Sequence, residues 1–224
     1  LDRVIDRVGG DYSVHGEVRA PFDHFLNILG MEEGLMALLD DPERSLEIMD
    51  RTADWSIALA VAQVRRGADA IKVSSPFAGS GFLSPDMYEE FILPFEGRLA
   101  KAVREEGKPI YTHTCGAIGD RLDLLCQVGV SGIECLDPPP LGDVDITEAV
   151  HLLKGRIFIK GNIDPVNTLL RGDTSKVKED VTQVLGAAME MDGFILSSAC
   201  SVAPPAPPDN LKYMVDLCRE ITAQ

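Results

Sequence analysis

The chain has 224 residues, and its 45% hydrophobic and 25% charged residues are the proportions of a globular protein. We expect one domain over residues 1–224, long enough to bury a substantial core. The formal net charge of −15 argues against nucleic acid and anionic membranes as partners, and no apolar run approaches the roughly 20 residues of a membrane span.

The cysteines are few and irregularly spaced. Five of them, an odd number, do not have the spacing of a small disulfide scaffold. With no signal peptide at Leu1, this pattern favours a reducing cytoplasm. Cys126 and Cys218 continue apolar helical stripes, so we expect them in the core. Cys135 is out of phase with its neighbour Glu134 in a predicted strand, so we expect it to pack against a helix.

Extended and helical patterns alternate along the whole chain. The predicted strands cover residues 12–18, 70–74, 109–114, 132–136, 157–160 and 194–198. The predicted helices cover residues 1–8, 22–29, 31–39, 42–67, 86–105, 118–128, 146–153, 176–190 and 210–221. Such alternation predicts an α/β fold in which crossover helices connect the strands of a parallel sheet. The carboxyl ends of the six strands should then face one cleft.

Helix boundaries are marked by capping residues and glycines. Asp41 before Pro42 is a strong helix start, and Thr174 or Ser175 is expected to cap the helix over residues 176–190. Glycines are expected to end helices at Gly67, Gly107, Gly129 and Gly155. An eight-stranded barrel would need about 280 residues at roughly 35 residues per β/α unit. We therefore expect six units of such a barrel, with its first strands absent.

Potential metal ligands end the third predicted strand. The sequence from residue 109 to residue 116 is Pro-Ile-Tyr-Thr-His-Thr-Cys-Gly. Because residues two apart in a strand point to one face, His113 and Cys115 should lie together. Imidazole and thiolate are preferred zinc ligands, and Cys200 follows the last predicted strand, at the end where α/β barrels carry chemistry. The alternative is a buried histidine and two thiols in the core.

Further polar residues follow predicted strands. Glu134 and Asp137 either orient the metal-ligating histidine, fill a fourth coordination position or are solvated loop acids. Asn162 and Asp164 either bind substrate or cap their loop. His24, after the first strand, is a candidate for lining the pocket.

Four short motifs lie at the starts and ends of predicted elements. They are Gly-Ala-Asp-Ala at 67–70, Ala-Gly-Ser-Gly-Phe-Leu-Ser-Pro at 78–85, Gly-Asn-Ile-Asp-Pro at 161–165 and Pro-Pro-Asp-Asn at 207–210. With these motifs, residues 16–221 resemble the uroporphyrinogen decarboxylase superfamily. The resemblance implies a (β/α)8 TIM barrel, of which about six β/α units are present and the N-terminal strands are missing.

That superfamily contains metal-free decarboxylases of tetrapyrroles and zinc methyltransferases that work with methylated corrinoid proteins. The methyltransferase branch, which includes the methylcobamide:coenzyme M methyltransferases, carries His-x-Cys and a distant Cys. His113, Cys115 and Cys200 match that signature, and Cys200 stands where the decarboxylases have a histidine. The resemblance implies that these three residues bind zinc, that a partner protein carries the corrinoid, and that a small thiol or related compound accepts the methyl group. Residues 197–201, Ser-Ser-Ala-Cys-Ser, depart from the usual glycine-rich surroundings of that cysteine.

The leading hypothesis from the sequence is a zinc-dependent methyltransferase that moves a methyl group between a corrinoid protein and a thiol-type acceptor. The first alternative is a decarboxylase-like enzyme acting on a tetrapyrrole or another carboxylate. The second is a non-catalytic module that binds metal or docks a corrinoid protein. Stoichiometric zinc separates the leading hypothesis from the decarboxylase, and turnover with a methylated corrinoid separates it from the docking module.

Overall fold

The computed structural model describes residues 1–223, which fold as alternating strands and helices. The strands are β1 (His15–Arg19), β2 (Ala70–Ser74), β3 (Ile110–Thr114), β4 (Gly132–Cys135), β5 (Phe158–Ile163) and β6 (Phe194–Ser198). The α-helices are α1 (Asp2–Val8), α2 (Pro21–Leu29), α3 (Met31–Asp40), α4 (Pro42–Arg65), α5 (Pro85–Phe91), α6 (Leu93–Glu105), α7 (Leu122–Val128), α8 (Ile146–Leu153), α9 (Thr174–Ala188) and α10 (Pro208–Thr222). A 3-10 turn covers Gly119–Arg121 and a π-helical turn covers Pro165–Leu170.

The strands form one sheet in which sequence order is also spatial order. Within residues 1–223 the sheet has six strands, from β1 to β6, and every neighbouring pair is parallel. This confirms the predicted α/β architecture. His113 of β3 pairs with Ser74 on one side and with Glu134 on the other. The carboxyl ends of these strands are therefore in register, and the loops that follow them lie at the same edge of the sheet.

The two faces of the sheet carry different chemistry. Ile71, Val73 and Ile133 point to the face that the helices cover, and each is at most 1% exposed. Side chains alternate between faces along a strand, so the opposite, inner face receives polar groups such as His113 and Glu134. The helices thus bury the apolar face, and the candidate functional groups collect on the other.

The longest helix, α4, shows how the sequence specifies this packing. The Asp41 carboxylate accepts a hydrogen bond from the Arg44 N–H at 3.1 Å, as its predicted role as a helix cap requires. Met49, Ala53 and Ala60 form a buried stripe along the helix. Among residues 1–223, none of the helices is both long enough and apolar enough to cross a membrane.

Among the predicted boundaries that differ from the structure, two have reasons visible in it. β1 begins at His15 rather than at residue 12, because the residues before it form a turn after α1. The helix predicted over residues 86–105 is divided at Ile92 into α5 and α6. Pro94 lacks the amide hydrogen that a continuous helix would need at that position.

The predicted cap of α9 is also wrong. Asp173, rather than Thr174 or Ser175, caps this helix by accepting a hydrogen bond from the Lys176 N–H at 2.9 Å. The helical turn at Pro165–Leu170 was not expected from the sequence. Both features lie in the loop after β5, where short polar side chains compete to cap neighbouring turns.

A carboxylic acid is buried behind the sheet on α6. Glu96 is 2% exposed, and its Oε1 accepts a 2.6 Å hydrogen bond from the hydroxyl of Ser75, which follows β2. Burial raises the pKa of Glu96 to about 7, although hydrogen bonds from Ser75 and Thr112 lower it. The folded protein therefore holds the Glu96 proton more tightly than the unfolded chain does.

We expect this proton to make folding stability fall as the pH rises from 4.5 through 7, because only the unfolded chain releases it easily in that window. Glu96→Gln removes this contribution. The change in the free energy of unfolding between pH 5 and pH 8 should therefore be smaller in the variant than in the wild type, by up to about 3 kcal/mol. Urea unfolding at several pH values measures the difference. Glu105→Gln, at an exposed position of the same helix, is the matched control. The same pH dependence in wild type and Glu96→Gln would contradict the expectation.

Candidate metal centre

Three sulfur atoms and one imidazole nitrogen meet at the carboxyl edge of the sheet. The ligand atoms of His113, Cys115, Cys135 and Cys200 all lie within 4.8 Å of one another. His113 Nε2 is 3.2 Å from the Cys115 sulfur and 4.0 Å from the Cys200 sulfur. The sulfur atoms of Cys115 and Cys200 are 3.6 Å apart. The structure brings together the three residues that the sequence singled out and adds a fourth, while their role as metal ligands stays a prediction.

The separations between these atoms suit a tetrahedral metal ion. Zinc bonds of about 2.3 Å to sulfur and 2.0–2.1 Å to nitrogen place neighbouring ligand atoms roughly 3.5–3.8 Å apart. The three measured separations of 3.2, 3.6 and 4.0 Å lie around that range. Zinc also prefers thiolate and imidazole ligands to a set of ligands made only of oxygen atoms. The residues therefore fit zinc in both spacing and chemistry.

The cluster is assembled from three strand ends. His113 lies in β3, Cys115 is the first residue after β3, and Cys200 is the second residue after β6. β4 and β5 lie between these two strands in the sheet. The side chains can meet only because the sheet curls, as the sheet of a barrel does.

The expectation that Cys135 packs against a helix is wrong. Cys135 is the last residue of β4, pairs with Thr114 and is fully buried. Its φ is 98°, and that of Leu136 is 55°, so both residues leave the extended conformation. The regular alternation of side chains stops there, and the Cys135 sulfur joins the cluster. A cysteine at the end of a strand was the available signal, but alternation assigned it to the wrong face.

Asp137 connects the loops that follow β3 and β4. Its Oδ2 accepts hydrogen bonds from the Gly116 N–H at 2.8 Å and from the Cys135 thiol at 3.3 Å. Asp137 is 4% exposed, and burial raises its pKa although these two hydrogen bonds lower it. Asp137 therefore stands beside the cluster and positions one of its sulfur atoms.

Glu134 lies on the other side of the imidazole. Its Oε2 is 3.9 Å from His113 Nδ1, within ion-pair range but beyond hydrogen-bond range. Its Oε1 accepts a 3.0 Å hydrogen bond from the Lys160 ammonium group. Because His113 Nε2 faces the sulfur atoms, Glu134 acts on the opposite nitrogen, where carboxylates orient metal-ligating histidines. Of the alternatives left by the sequence, this geometry favours orientation over coordination.

The metal-free cluster holds its protons unevenly. Burial lowers the pKa of His113, but its contacts with the thiols of Cys115 and Cys200 outweigh burial and raise it to about 10. Hydrogen bonds from the other two thiols and the imidazole lower the pKa of Cys200. The nearby sulfur atoms of Cys115 and Cys200, together with burial, raise the pKa of Cys135. These shifts favour an imidazolium beside a thiolate, and a divalent metal ion would displace the proton of that pair.

Asn162 and Asp164 have structural contacts of their own. Asn162 Nδ2 donates a 3.1 Å hydrogen bond to the Leu136 carbonyl and so supports the left-handed backbone after β4. Asp164 Oδ1 accepts hydrogen bonds from the N–H groups of Val166 and Asn167, each at 2.7 Å. Asp164 therefore caps its loop, which is one of the two alternatives that the sequence left open. Both residues also line a cavity of about 520 Å³ between the loop after β4 and α9.

His24 is not part of the cluster. Its ring packs edge-on against Trp55 of α4, with 6.1 Å between the ring centroids. Burial lowers the pKa of His24, and Arg19 lowers it further. This contact holds His24 between two helices, and its role in lining the pocket stays a prediction.

A parallel β/α sheet in which the strands follow one another in sequence order, with polar groups gathered at its carboxyl edge, is the arrangement found in TIM-barrel folds. Within that class, the family model described as Uroporphyrinogen decarboxylase (URO-D) matches residues 1–221. The chain therefore belongs to the URO-D family, and its six parallel strands form the TIM-barrel-like sheet of that family.

Relatives within the family include two kinds of enzyme. Methylcobamide:CoM methyltransferase MtbA of Methanosarcina acetivorans is 28% identical over 214 residues, which cover 96% of this chain and 60% of that protein. Uroporphyrinogen decarboxylase of Syntrophotalea carbinolica is 29% identical over 183 residues, which cover 81% of this chain and 50% of that protein. A solved methyltransferase from Methanosarcina mazei superposes with a TM-score of 0.86 at 22% identity, covering 99% of this chain and 62% of that one, and supports the fold. The chain thus spans about half to three-fifths of the length of these relatives.

We expect the Cys200 thiol of chelator-treated protein to be alkylated at a nearly constant rate between about pH 6 and 8, because its lowered pKa keeps it a thiolate. The pKa of Cys126 is raised by burial, so its alkylation rate should increase roughly tenfold for each unit by which the pH rises. Iodoacetamide labelling followed by peptide mass spectrometry measures both rates. His113→Ala should make the Cys200 rate more dependent on pH, because it removes one of the interactions that lower this pKa. Such a dependence in the unmodified protein would contradict the imidazolium–thiolate pair.

Proposed function

We propose that this chain forms the catalytic barrel of a zinc-dependent methyltransferase, which moves a methyl group between a corrinoid protein and a small thiol acceptor. The convergence of His113, Cys115 and Cys200 at the carboxyl edge of the sheet carries the proposal. The similarity to a methylcobamide:CoM methyltransferase supports it. For this chain we propose a thiol as the chemical class of the acceptor and a corrinoid that a partner protein carries.

His113, Cys115 and Cys200 would hold the zinc ion. Two thiolates and one neutral imidazole cancel the two positive charges of zinc, so a third thiolate makes the centre net negative and keeps its sulfur electron-rich. When bound, zinc supplies the positive charge that lowers the pKa of the acceptor thiol. The thiolate is the form of sulfur that attacks a methyl group.

Neighbouring residues keep these ligands in place. Glu134, 3.9 Å from His113 Nδ1, favours the tautomer in which Nε2 is free to coordinate. Lys160 neutralises the Glu134 carboxylate from its other side. Asp137 holds Gly116, the residue after Cys115, by a 2.8 Å hydrogen bond to its N–H. The ligands are thereby oriented before any substrate binds, as catalysis by a preorganised site requires.

A second candidate function is a decarboxylase-like reaction on a tetrapyrrole or another carboxylate. The 29% identity to a uroporphyrinogen decarboxylase favours it. That branch of the family works without a metal, so the zinc content of the protein separates the two candidates. A cytoplasmic location completes the proposal, because five cysteines without the spacing of a disulfide scaffold suit a reducing compartment.

We expect purified wild-type protein to contain about one zinc ion per chain, and Cys200→Ser to lose most of it. A serine hydroxyl is neither readily ionised nor soft enough to replace the thiolate. Atomic emission on both proteins after zinc-supplemented growth measures the content.

Cys126→Ser and Cys218→Ser are the matched controls for this experiment. Both residues pack against the core from helices α7 and α10 and lie outside the cluster, so their variants should keep the zinc. Equal zinc in all four proteins would exclude Cys200 as a ligand and remove the basis of the methyltransferase proposal. No zinc in the wild type would favour the decarboxylase-like function.

A further inference from the structure

We propose that Cys135 is a fourth ligand of the metal centre, so that three thiolates and one imidazole surround the metal before the acceptor thiol arrives. This inference rests on the proposed function and goes beyond it. The sequence signature includes His113, Cys115 and Cys200 and leaves the fourth position to the acceptor or to water. Cys135 lies outside that signature, on a different strand.

The position of the Cys135 sulfur carries the inference. The Cys135 sulfur lies within 4.8 Å of the ligand atoms of His113, Cys115 and Cys200. Cys135 is 0% exposed, so its thiol faces the cluster and not the solvent. A metal ion bound by His113, Cys115 and Cys200 would therefore have another soft donor already beside it.

The backbone is strained where it holds this sulfur. Cys135 has a φ of 98° and Leu136 a φ of 55°, in a region that residues with a side chain rarely adopt. In a regular strand Cys135 would face the helices, as Ile133 does. Asn162 supports the unusual conformation through its hydrogen bond to the Leu136 carbonyl. Strain of this kind persists where the surrounding structure enforces it, often at functional sites.

Asp137 gives the sulfur a second partner. Cys135 donates a hydrogen bond to Asp137 Oδ2 at 3.3 Å, and the same oxygen accepts from the Gly116 N–H. Cys135 can therefore leave the metal without becoming an unpaired buried group. The acceptor thiol would take the vacated position as its thiolate, and its proton would pass to the Cys135 sulfur. One thiolate replaces another, so three thiolates remain bound.

Cobalt(II) substituted for zinc tests the inference, because its sulfur-to-metal charge-transfer absorption grows with each bound thiolate. We expect the absorption of Cys135→Ser to fall to about two-thirds of the wild-type value, as three thiolates become two. Added 2-mercaptoethanol should raise the absorption of the variant by about half and leave the wild type unchanged. Cys126→Ser, in α7, should behave as wild type.

Metal release and folding supply independent measurements. Transfer of zinc to a competing chelator should be at least about 10–100-fold faster from Cys135→Ser than from wild type. Circular dichroism establishes whether the variant is folded. If the variant is unfolded, the proposal is tested with the wild type alone. A rise in the charge-transfer absorption of the wild type on addition of 2-mercaptoethanol would reveal an open fourth position and overturn the proposal.

The outcomes separate this inference from the proposed function. Equal absorption from metal-loaded wild type and Cys135→Ser would exclude Cys135 as a ligand and leave the three-residue centre intact. No metal in the wild type would overturn both proposals. Metal bound with three thiolates, but no methyl transfer from a methylated corrinoid protein to a thiol, would overturn the proposed function and leave Cys135 as a ligand.

Discussion

Cys115 and Cys200 follow strands that two other strands separate, yet their sulfur atoms lie 3.6 Å apart. In a flat sheet with neighbouring strands about 4.8 Å apart, β3 and β6 would be about 14 Å apart. The sheet must curl for the two sulfur atoms to meet, and the twist and stagger of parallel β/α sheets supply that curvature. Without it, the chain would carry a His-x-Cys pair on one strand and an isolated cysteine on another.

Charge compensation on the inner face then determines how the imidazole behaves. The Lys160 ammonium group bonds Glu134 at 3.0 Å and lies 5.6 Å from the centroid of the Tyr111 ring. The hydroxyl of Tyr111 is in turn 2.9 Å from His15 Nδ1. Buried charges are tolerated when they are paired, and this network pairs the carboxylate next to His113. Glu134 can therefore polarise His113 without adding an uncompensated negative charge beside the thiolates.

The sequence predicts those features that depend on regular periodicity. β2 covers Ala70–Ser74 in both prediction and structure, because its apolar residues alternate and a glycine ends the helix before it. The meeting of His113, Cys115 and Cys200 also follows from strand ends and ligand chemistry. Cys135 could not be placed in this way, since alternation assumes extended backbone and a φ of 98° breaks it. Such a φ depends on contacts from other strands, including the hydrogen bond of Asn162 to the next residue.

The same closeness that makes these thiols good ligands also makes them liable to oxidation. Sulfur atoms 3.6 Å apart need a shift of only about 1.5 Å to reach disulfide bonding distance, and the lowered pKa of Cys200 favours its reactive thiolate form. A centre closed by Cys135 would keep every thiol of the cluster bound to metal until an acceptor arrives. Its strained backbone would at the same time make Cys135 the ligand most easily displaced. One residue would then govern both the protection of the centre and the entry of the acceptor, and the left-handed turn at the end of β4 would be the structural basis of both.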